Sequence, residues 1–470
     1  MILASGSQVR EVARRAAARP ESAFRGLRLP AGIDVGRLLS DIGFWGVTSS
    51  YERPDRDFSL IAVGEAGRAE LPAGGGAAAL RLGADELLRA PTEVETGALR
   101  PRLLGGVSFG ATPLDLPGPA RPAGASPDVP WEGFGRGALL LPEMLFVRDG
   151  GEAGVVLAPG VPATRLADVL GALARGDSTG PDACGTAPAA SVACDVDAER
   201  WLGSVARVAS EVRAGHYEKV VLATCREFAS GGPIERGRAL RRLRDGYRDC
   251  HLFSVTRGDS TFLGASPELL VSLRDGAMRA LGLAGSAQRG ADAADDERRG
   301  RELQASAKDR IEHEIVVRAI REALLPASRW LRAPNQPGLL RLRNIQHLAT
   351  EVRGEVSAGV DILDLVERLH PTPAVGGWPT ERALRVIADH ERFDRGWYGG
   401  PVGWLDAAGD GEFAVALRSA LVRRERAWLF AGAGIMGDSE PGDELAEVEL
   451  KFRPLAEALG LVPGGEAAGA

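Results

Sequence analysis

Lysine is nearly absent from this chain. Of its 57 basic residues only Lys219, Lys308 and Lys451 are lysine. Arginine stays protonated at any working pH, whereas a buried lysine can lose its proton and act as a base. The three lysines either mark places where an ammonium does something a guanidinium cannot or are chance survivors of the bias. Cysteine is also scarce: Cys184, Cys194, Cys225 and Cys250 show no CxxC spacing, which excludes a zinc ribbon and a disulfide scaffold. They read as reduced thiols of a cytoplasmic protein. No apolar run is long enough to span a bilayer. The first residues lack the charged and apolar regions of a secretory signal. Val9 to Arg19, rich in Arg and Ala, reads as a surface helix rather than a transit peptide. A net charge of −7 argues against general nucleic-acid binding.

What is present suffices for a large core: 470 residues, 44% of them hydrophobic. Residues 1–200 are rich in Ala, Gly and Pro, and read as a less regular half that completes the fold. Gly74–Gly76, Pro113 to Pro130 and Gly176 to Ala190 look like loops, with strand-like pieces at Phe58 to Val63 and Ala138 to Phe146. Residues 201–460 carry sharper patterns, and 461–470 read as a frayed tail. Lys219 to Phe228, Cys250 to Thr256 and two pieces around Ser266-Pro267-Glu268 are predicted strands. Glu297 to Leu325 has helical period, with Ile311, Ile315, Ala319 and Ala323 on one stripe. Asp361 to Leu369 and Thr380 to His390 are shorter helices. Glu412 to Val422 and Ala427 to Ala431 form a predicted hairpin. Asp443 to Leu459 is a helix entered through Ser439 and Pro441. Long strands with helices laid over them, and no regular βαβ alternation, predict an α+β protein.

Four groups of residues could carry chemistry. Asp309 and Glu312 lie three apart on one helix, and Glu444, Glu447 and Lys451 share one arc of the last helix. Carboxylates without His or Cys suit Mg²⁺; an ordinary charged face with i,i+4 pairs such as Lys308–Glu312 explains them equally. Arg418 falls among Ala414, Ala416 and Ala420 on one face of its predicted strand, leaving room for a small anion; an arginine snorkelling from a strand edge is the other reading. Glycines at Gly285, Gly399-Gly400, Gly432 and Gly434 mark close backbone approach or tight turns. Lys219 shares a strand face with Val221, Ala223 and Cys225, whose burial is expected to lower its pKa. Set against a protonated Glu268, it would serve acid–base chemistry at two faces of one substrate; a surface Lys and a turn Glu are the bland alternative.

Taken together, the runs Glu218-Lys-Val-Val-Leu-Ala223, Phe262-Leu-Gly-Ala-Ser-Pro-Glu-Leu-Leu270, Ala284-Gly-Ser286 and Lys308-Asp-Arg-Ile-Glu-His313 resemble the chorismate-utilising enzymes. So do His347-Leu348, His370-Pro-Thr-Pro-Ala-Val-Gly-Gly377, Arg395-Gly-Trp-Tyr-Gly-Gly-Pro-Val-Gly-Trp404, Ala431-Gly-Ala-Gly-Ile435 and the helix Glu444 to Lys451. The resemblance is strong over residues 200–460 and weaker before, at Gly105 to Phe109 and Trp131 to Pro142. It implies an α+β chorismate-binding (anthranilate synthase component I-like) fold of two large, mainly antiparallel sheets packed together with helices outside. Ammonia-using members typically carry Gln at the Lys219 position, so Lys219 implies water as nucleophile and no glutamine amidotransferase subunit. Pyruvate-eliminating members typically carry Thr or a similar polar residue where this chain has Ala374. The resemblance is therefore to the isochorismate synthase branch, whose product feeds siderophores, menaquinone or other aromatic metabolites. A salicylate synthase and a silent chorismate-binding protein are the alternatives. Thr224-Cys225 departs from the family's more usual Arg-containing continuation.

The same resemblance implies roles. Lys219 is the general base and Glu268 the general acid. Glu312 and Glu447 hold one Mg²⁺, with Asp309 and Glu444 in or near the shell. Arg418 and Tyr398, helped by the backbone at Gly432, hold the enolpyruvyl carboxylate. Gly285, Ser286, His347, Ala374 and Lys451 line the pocket.

Overall fold

The computed structural model describes residues 6–30, 33–39, 43, 45–111, 128–175 and 190–461. Most of the expected loop Pro113 to Pro130, nearly all of Gly176 to Ala190, Cys184 and the tail from residue 462 lie outside these. The described strands form two sheets, of 13 and 10 strands. All their pairings are antiparallel except Phe24–Arg28 with Thr92–Val94. Strands from both halves of the chain enter both sheets: Val47–Arg53 lies beside His251–Arg257 in the larger, and Arg102–Val107 beside Pro401–Asp406 in the smaller. This is the α+β layering the sequence predicts.

The centre of the larger sheet runs Lys219–Ser230, Arg426–Ile435, Ser419–Arg423, Ser260–Ser266, His251–Arg257. These strands bury both faces, which matches their near-continuous apolar sequence. The smaller sheet is centred on Ala277–Gln288, Leu269–Arg274 and Gly411–Val415. The chain steps from one sheet to the other at short corners: Pro142-Glu143, Pro267-Glu268 and Ala416-Leu417-Arg418. The second and third corners deliver Pro267, Glu268, Leu417 and Arg418 to the cleft between the sheets.

Three expectations are corrected. Glu412 to Val422 is not one strand. Gly411–Val415 ends in the smaller sheet and Ser419–Arg423 begins in the larger. At the corner Leu417 N–H donates to Val415 O (2.7 Å), Ser419 Oγ to Ala416 O (3.2 Å), and Arg418 takes φ 47°. Period-2 alternation therefore does not run through Arg418. Likewise the helix expected from Glu297 to Leu325 is two, Ala293–Ala305 and Ala307–Leu324, broken where Ser306 turns extended and caps the second by accepting from Asp309 N–H. Its buried face is His313, Ile315, Val316, Ala319, Ile320 and Leu324, while Ile311 is 55% exposed. Finally, the last helix, Pro441–Leu459, starts with Pro441 as predicted, but its N-cap is Glu440. Ser439 instead accepts from Met436 N–H.

The helix Ile362–Leu369 presents the loop that contains Ala374. Its start is fixed by a reciprocal cap: Asp361 accepts from Asp364 N–H, and Asp364 from Asp361 N–H, each at 3.0 Å. Arg81 ion-pairs with both carboxylates. Asp361→Ala should cost about 1 kcal/mol, within roughly 0.5–2. Chemical denaturation checks this, and an unchanged midpoint would show that the cap does not set the helix.

Candidate active site

A cleft of about 270 Å³ opens between the sheets, under the helices Ala307–Leu324 and Pro441–Leu459. All fourteen residues to which the resemblance gives a role line it: Lys219, Glu268, Gly285, Ser286, Asp309, Glu312, His347, Ala374, Tyr398, Arg418, Gly432, Glu444, Glu447 and Lys451.

Lys219 opens its strand, flanked by Gly377–Trp378 on one side and Arg426–Ile435 on the other. It is 1% exposed, and Nζ meets Glu312 Oε1 at 2.8 Å. The amine expected to stand among apolar neighbours is thus ion-paired. Val221 shares the cleft with it, whereas Ala223 and Cys225 border a different one. Gly434, across from Val221, leaves room for the pair. A Cβ there would lie 2.6 Å from Glu312 Oε1 and 2.8 Å from Lys219 Cε.

Glu268 follows the Ser266-Pro267 corner, its N–H donating to Ser266 Oγ at 3.2 Å. It is 3% exposed and its Oε1 has no hydrogen-bond partner. Burial pushes its carboxyl up to about 8, against the smaller opposing pull of Lys219 and Lys451. Glu268 is therefore largely protonated at neutral pH, as a proton donor must be.

The second lysine, Lys308, reaches Glu444 at 3.4 Å, and the third, Lys451, reaches Glu447 at 2.5 Å and donates to Gly432 O at 2.8 Å. Every lysine in the chain thus lies in this cleft, each on a different carboxylate. None forms the intrahelical Lys308–Glu312 pair that the spacing allows. Burial raises Asp309 and Glu444, and neighbouring carboxylates add to this: Glu312 and Glu447 act on both. Burial also pushes Glu447 upward, but Lys451, His347 and Arg418 together hold it below the ordinary carboxylate value.

This oxygen-only donor set, with carboxylates that raise one another, has the chemistry to hold a hard divalent cation. Among the described residues no three His, Cys, Asp or Glu side chains already converge on one point. The ammoniums stand against Glu312, Glu444 and Glu447 in its place. Three of the four acids therefore have a resident counter-charge.

The far wall carries Arg418, Tyr398 and His347. Arg418 Cα sits in the left-handed region and its carbonyl accepts from Ala265 N–H, which fixes the corner. Burial pulls its guanidinium below the usual arginine value, leaving it cationic at working pH. Tyr398 stacks on Phe430 with ring centroids 5.2 Å apart, and burial pushes its hydroxyl up to about 12, so it remains a neutral donor. Gly285 takes φ 73° at a bulge opposite His347, and a Cβ there would press on Asp309. His347 Nδ1 lies 3.3 Å from Gly285 O and 3.0 Å from Ser286 Oγ. A carbonyl only accepts, so Nδ1 carries the hydrogen and the unpartnered Nε2 presents a lone pair. Burial pulls this imidazole down to about 3, so it is neutral.

Sequence reasoning left Lys308, Arg395, Leu417, Phe430 and Gly434 out of the site. The lysine count already flagged Lys308, and Arg395 and Gly434 lie inside runs that carried the resemblance. Leu417 and Phe430 had no signal beyond hydrophobicity.

A buried amine, a carboxyl that burial raises and an arginine thus face one cleft between the two mainly antiparallel sheets of an α+β fold. The profile of the family described as chorismate binding enzyme matches residues 44–460, and the chain belongs to that family. It is 42% identical to the salicylate biosynthesis isochorismate synthase of Pseudomonas aeruginosa, over 81% of this chain and 78% of that one. It is 40% identical to the isochorismate synthase MenF of Bacillus subtilis, over 57% of this chain and 56% of the other. The fold resembles that of MenF, the menaquinone-specific isochorismate synthase of Escherichia coli, with a TM-score of 0.76 and 24% identity over 96% of this chain and 99% of that one.

Gly434→Ala should force Lys219 and Glu312 apart. A displacement of about 1 Å at a reacting group can cost about 10²-fold in rate, so turnover should fall by about that factor with the circular dichroism unchanged. Turnover equal to wild type would show that the pair can shift without consequence.

Proposed function

We propose that the protein is an isochorismate synthase, an isomerase that converts chorismate reversibly to isochorismate by moving a hydroxyl from ring C4 to C2. The observation that carries this reading is the buried Lys219 amine facing the same cleft as a carboxyl raised to about 8. Lys219, freed from Glu312 and having given its ammonium proton to solvent, takes a proton as the neutral amine from water while the oxygen attacks C2. Glu268 gives its proton to the C4 hydroxyl, which leaves as water while the ring double bonds shift. Proton return to Glu268 and from Lys219 resets the pair. Arg418 and Tyr398 hold the enolpyruvyl carboxylate, with the backbone at Gly432 beside them. Gly285, Ser286, His347 and Lys451 shape the rest of the pocket.

The cation in this reading is Mg²⁺, held by Glu312 and Glu447 with Asp309 and Glu444 beside them. Bound there it would neutralise and orient the ring carboxylate. Water as nucleophile removes the need for an amidotransferase partner. A cytoplasmic setting is supported by the free thiols of Cys194, Cys225 and Cys250. Among the described residues no helix is long and apolar enough to cross a membrane. The apolar Ala374 supports release of isochorismate without pyruvate elimination. Chromatography of the products from chorismate tests this: isochorismate alone is expected, and salicylate with stoichiometric pyruvate would make the protein a salicylate synthase.

EDTA should abolish turnover and Mg²⁺ restore it; full activity in metal-free buffer would end the metal's role. Lys219→Ala and Glu268→Gln should each lower the rate by roughly 10²–10⁴. Because Glu268 must be protonated, kcat/KM should fall as pH rises through about 8. The same shift has a stability signature. The folded value lies above the ordinary 4.5, so this group's contribution is complete below 4.5 and lost as pH rises through about 8. Glu268→Gln should therefore gain stability relative to wild type between about pH 5 and about pH 9 in urea titrations. A constant difference would place the titration elsewhere.

A further inference from the structure

A second cleft, of about 130 Å³, lies behind the strand Lys219–Ser230, at the start of the helix Ala198–Arg213. Its floor is apolar and partly aromatic: Trp201, Phe393, Leu222 and Cys225. Thr224 beside them is short, which leaves the floor open. Its rim carries two arginines, Arg200 and Arg392. The carboxylates that also border the cleft are already engaged. Asp195 is paired with Arg226 at 2.6 Å, Asp197 accepts Arg200 N–H as helix cap, and Glu391 holds Arg395 and accepts Ala223 N–H at 2.7 Å. Among the described residues neither Arg200 nor Arg392 forms an ion pair. Arg200 donates only a long bond to His390 O, at 3.4 Å. Burial and then the neighbouring Arg392 charge pull Arg200 below the usual arginine value. Asp197 offsets this only in part, and two neighbouring guanidinium charges at one cleft favour an anion that joins them. Two buried donors at the cleft point the same way. Trp201 is 6% exposed and its Nε1–H has no acceptor, and Arg392 Nε is buried and unpartnered. Such donors are costly to leave unsatisfied.

We propose that this cleft binds a small aromatic carboxylate, its ring on Trp201 and Phe393 and its carboxylate between Arg200 and Arg392. The partition between the two clefts is one ion pair. Glu391 borders the second cleft, and its partner Arg395 borders the first. Arg395 donates to Val221 O at 2.9 Å and to Val375 O at 2.8 Å, the residues next to the Lys219 strand start and to Ala374. Both partners are buried, so a ligand set against Glu391 bears on groups that have one well-defined arrangement. Occupancy of the second cleft therefore alters substrate binding in the first, and by reciprocity substrate alters it in return.

Calorimetric titration of the full-length protein tests this with three probes: benzoate, the neutral benzamide and acetate. Benzoate should bind, and benzamide and acetate should each bind at least about tenfold more weakly, since each lacks one of the two determinants. Arg392→Gln and Arg200→Gln should each weaken benzoate about tenfold, with the KM for chorismate unchanged when benzoate is absent. In wild type, benzoate should shift that KM, and in Arg392→Gln it should not. Benzoate affinity that survives both substitutions would put the ligand in the main cleft and overturn the proposal, as would no binding at about 10 mM, where even a millimolar site is largely filled. Binding without a shift in KM would overturn the coupling. If a variant fails to fold, a crystal of the wild-type protein grown with benzoate decides: a ring over Trp201 supports the assignment, and an empty cleft refutes it. The binding readouts do not depend on which reaction the main cleft performs.

Discussion

Three ammonium–carboxylate pairs hold the main cleft together. Lys219 with Glu312 and Lys308 with Glu444 tie one strand and two helices around a single space, and Lys451 with Glu447 pairs within the second helix beside it. Removing charged groups from water is expensive, and pairing offsets the cost only when both members are in place. Here the pairing is distributed: each acid faces a lysine on another element or one turn away. The arrangement keeps acids at the edge of a core that Val448, Phe452, Leu455 and Leu459 fill from the same helix. It also gives the cleft two electrostatic halves. Paired acids line one side, and Arg418 with the neutral Tyr398 hydroxyl and His347 imidazole lines the other.

The two sheets supply the geometry. Glu268 and Arg418 both sit where the chain leaves one sheet for the other, at corners a few residues apart in space: Ala265 N–H donates to Arg418 O, and Val415 N–H to Glu268 O. Glu268 and Arg418 are therefore fixed to each other by backbone hydrogen bonds, which tolerate little movement. Lys219 is placed independently, from the end of a strand locked on both sides. A site made from corners of rigid sheets holds its groups with the precision that proton transfer requires.

Much of this was legible in the sequence, for identifiable reasons. The strands around Ser266-Pro267-Glu268 are bounded by a turn signal, and the last helix announces itself through Pro441 and an apolar stripe. What was not legible depends on distance along the chain. Residue spacing offers Lys308 to Glu312, but the structure gives Lys308 to Glu444 and Glu312 to Lys219, because packing of helix on helix and helix on sheet decides the partner. Alternation carried across Ala416 to Arg418 assumed one sheet where the chain uses two. Ile311 followed the helical period yet faces solvent, because the break at Ser306 starts a new helix whose core face lies one residue over.

The confinement of all lysines to one place has a practical corollary. Apart from the N-terminus, this molecule offers primary amines only at the cleft. Acylating dyes and amine-directed cross-linkers would report on the cleft alone, meeting Lys308 first, whose side chain is 33% exposed, and Lys219 last, at 2%. A lysine-specific protease would find no accessible bond until the chain unfolds, and would then release very few, very long fragments.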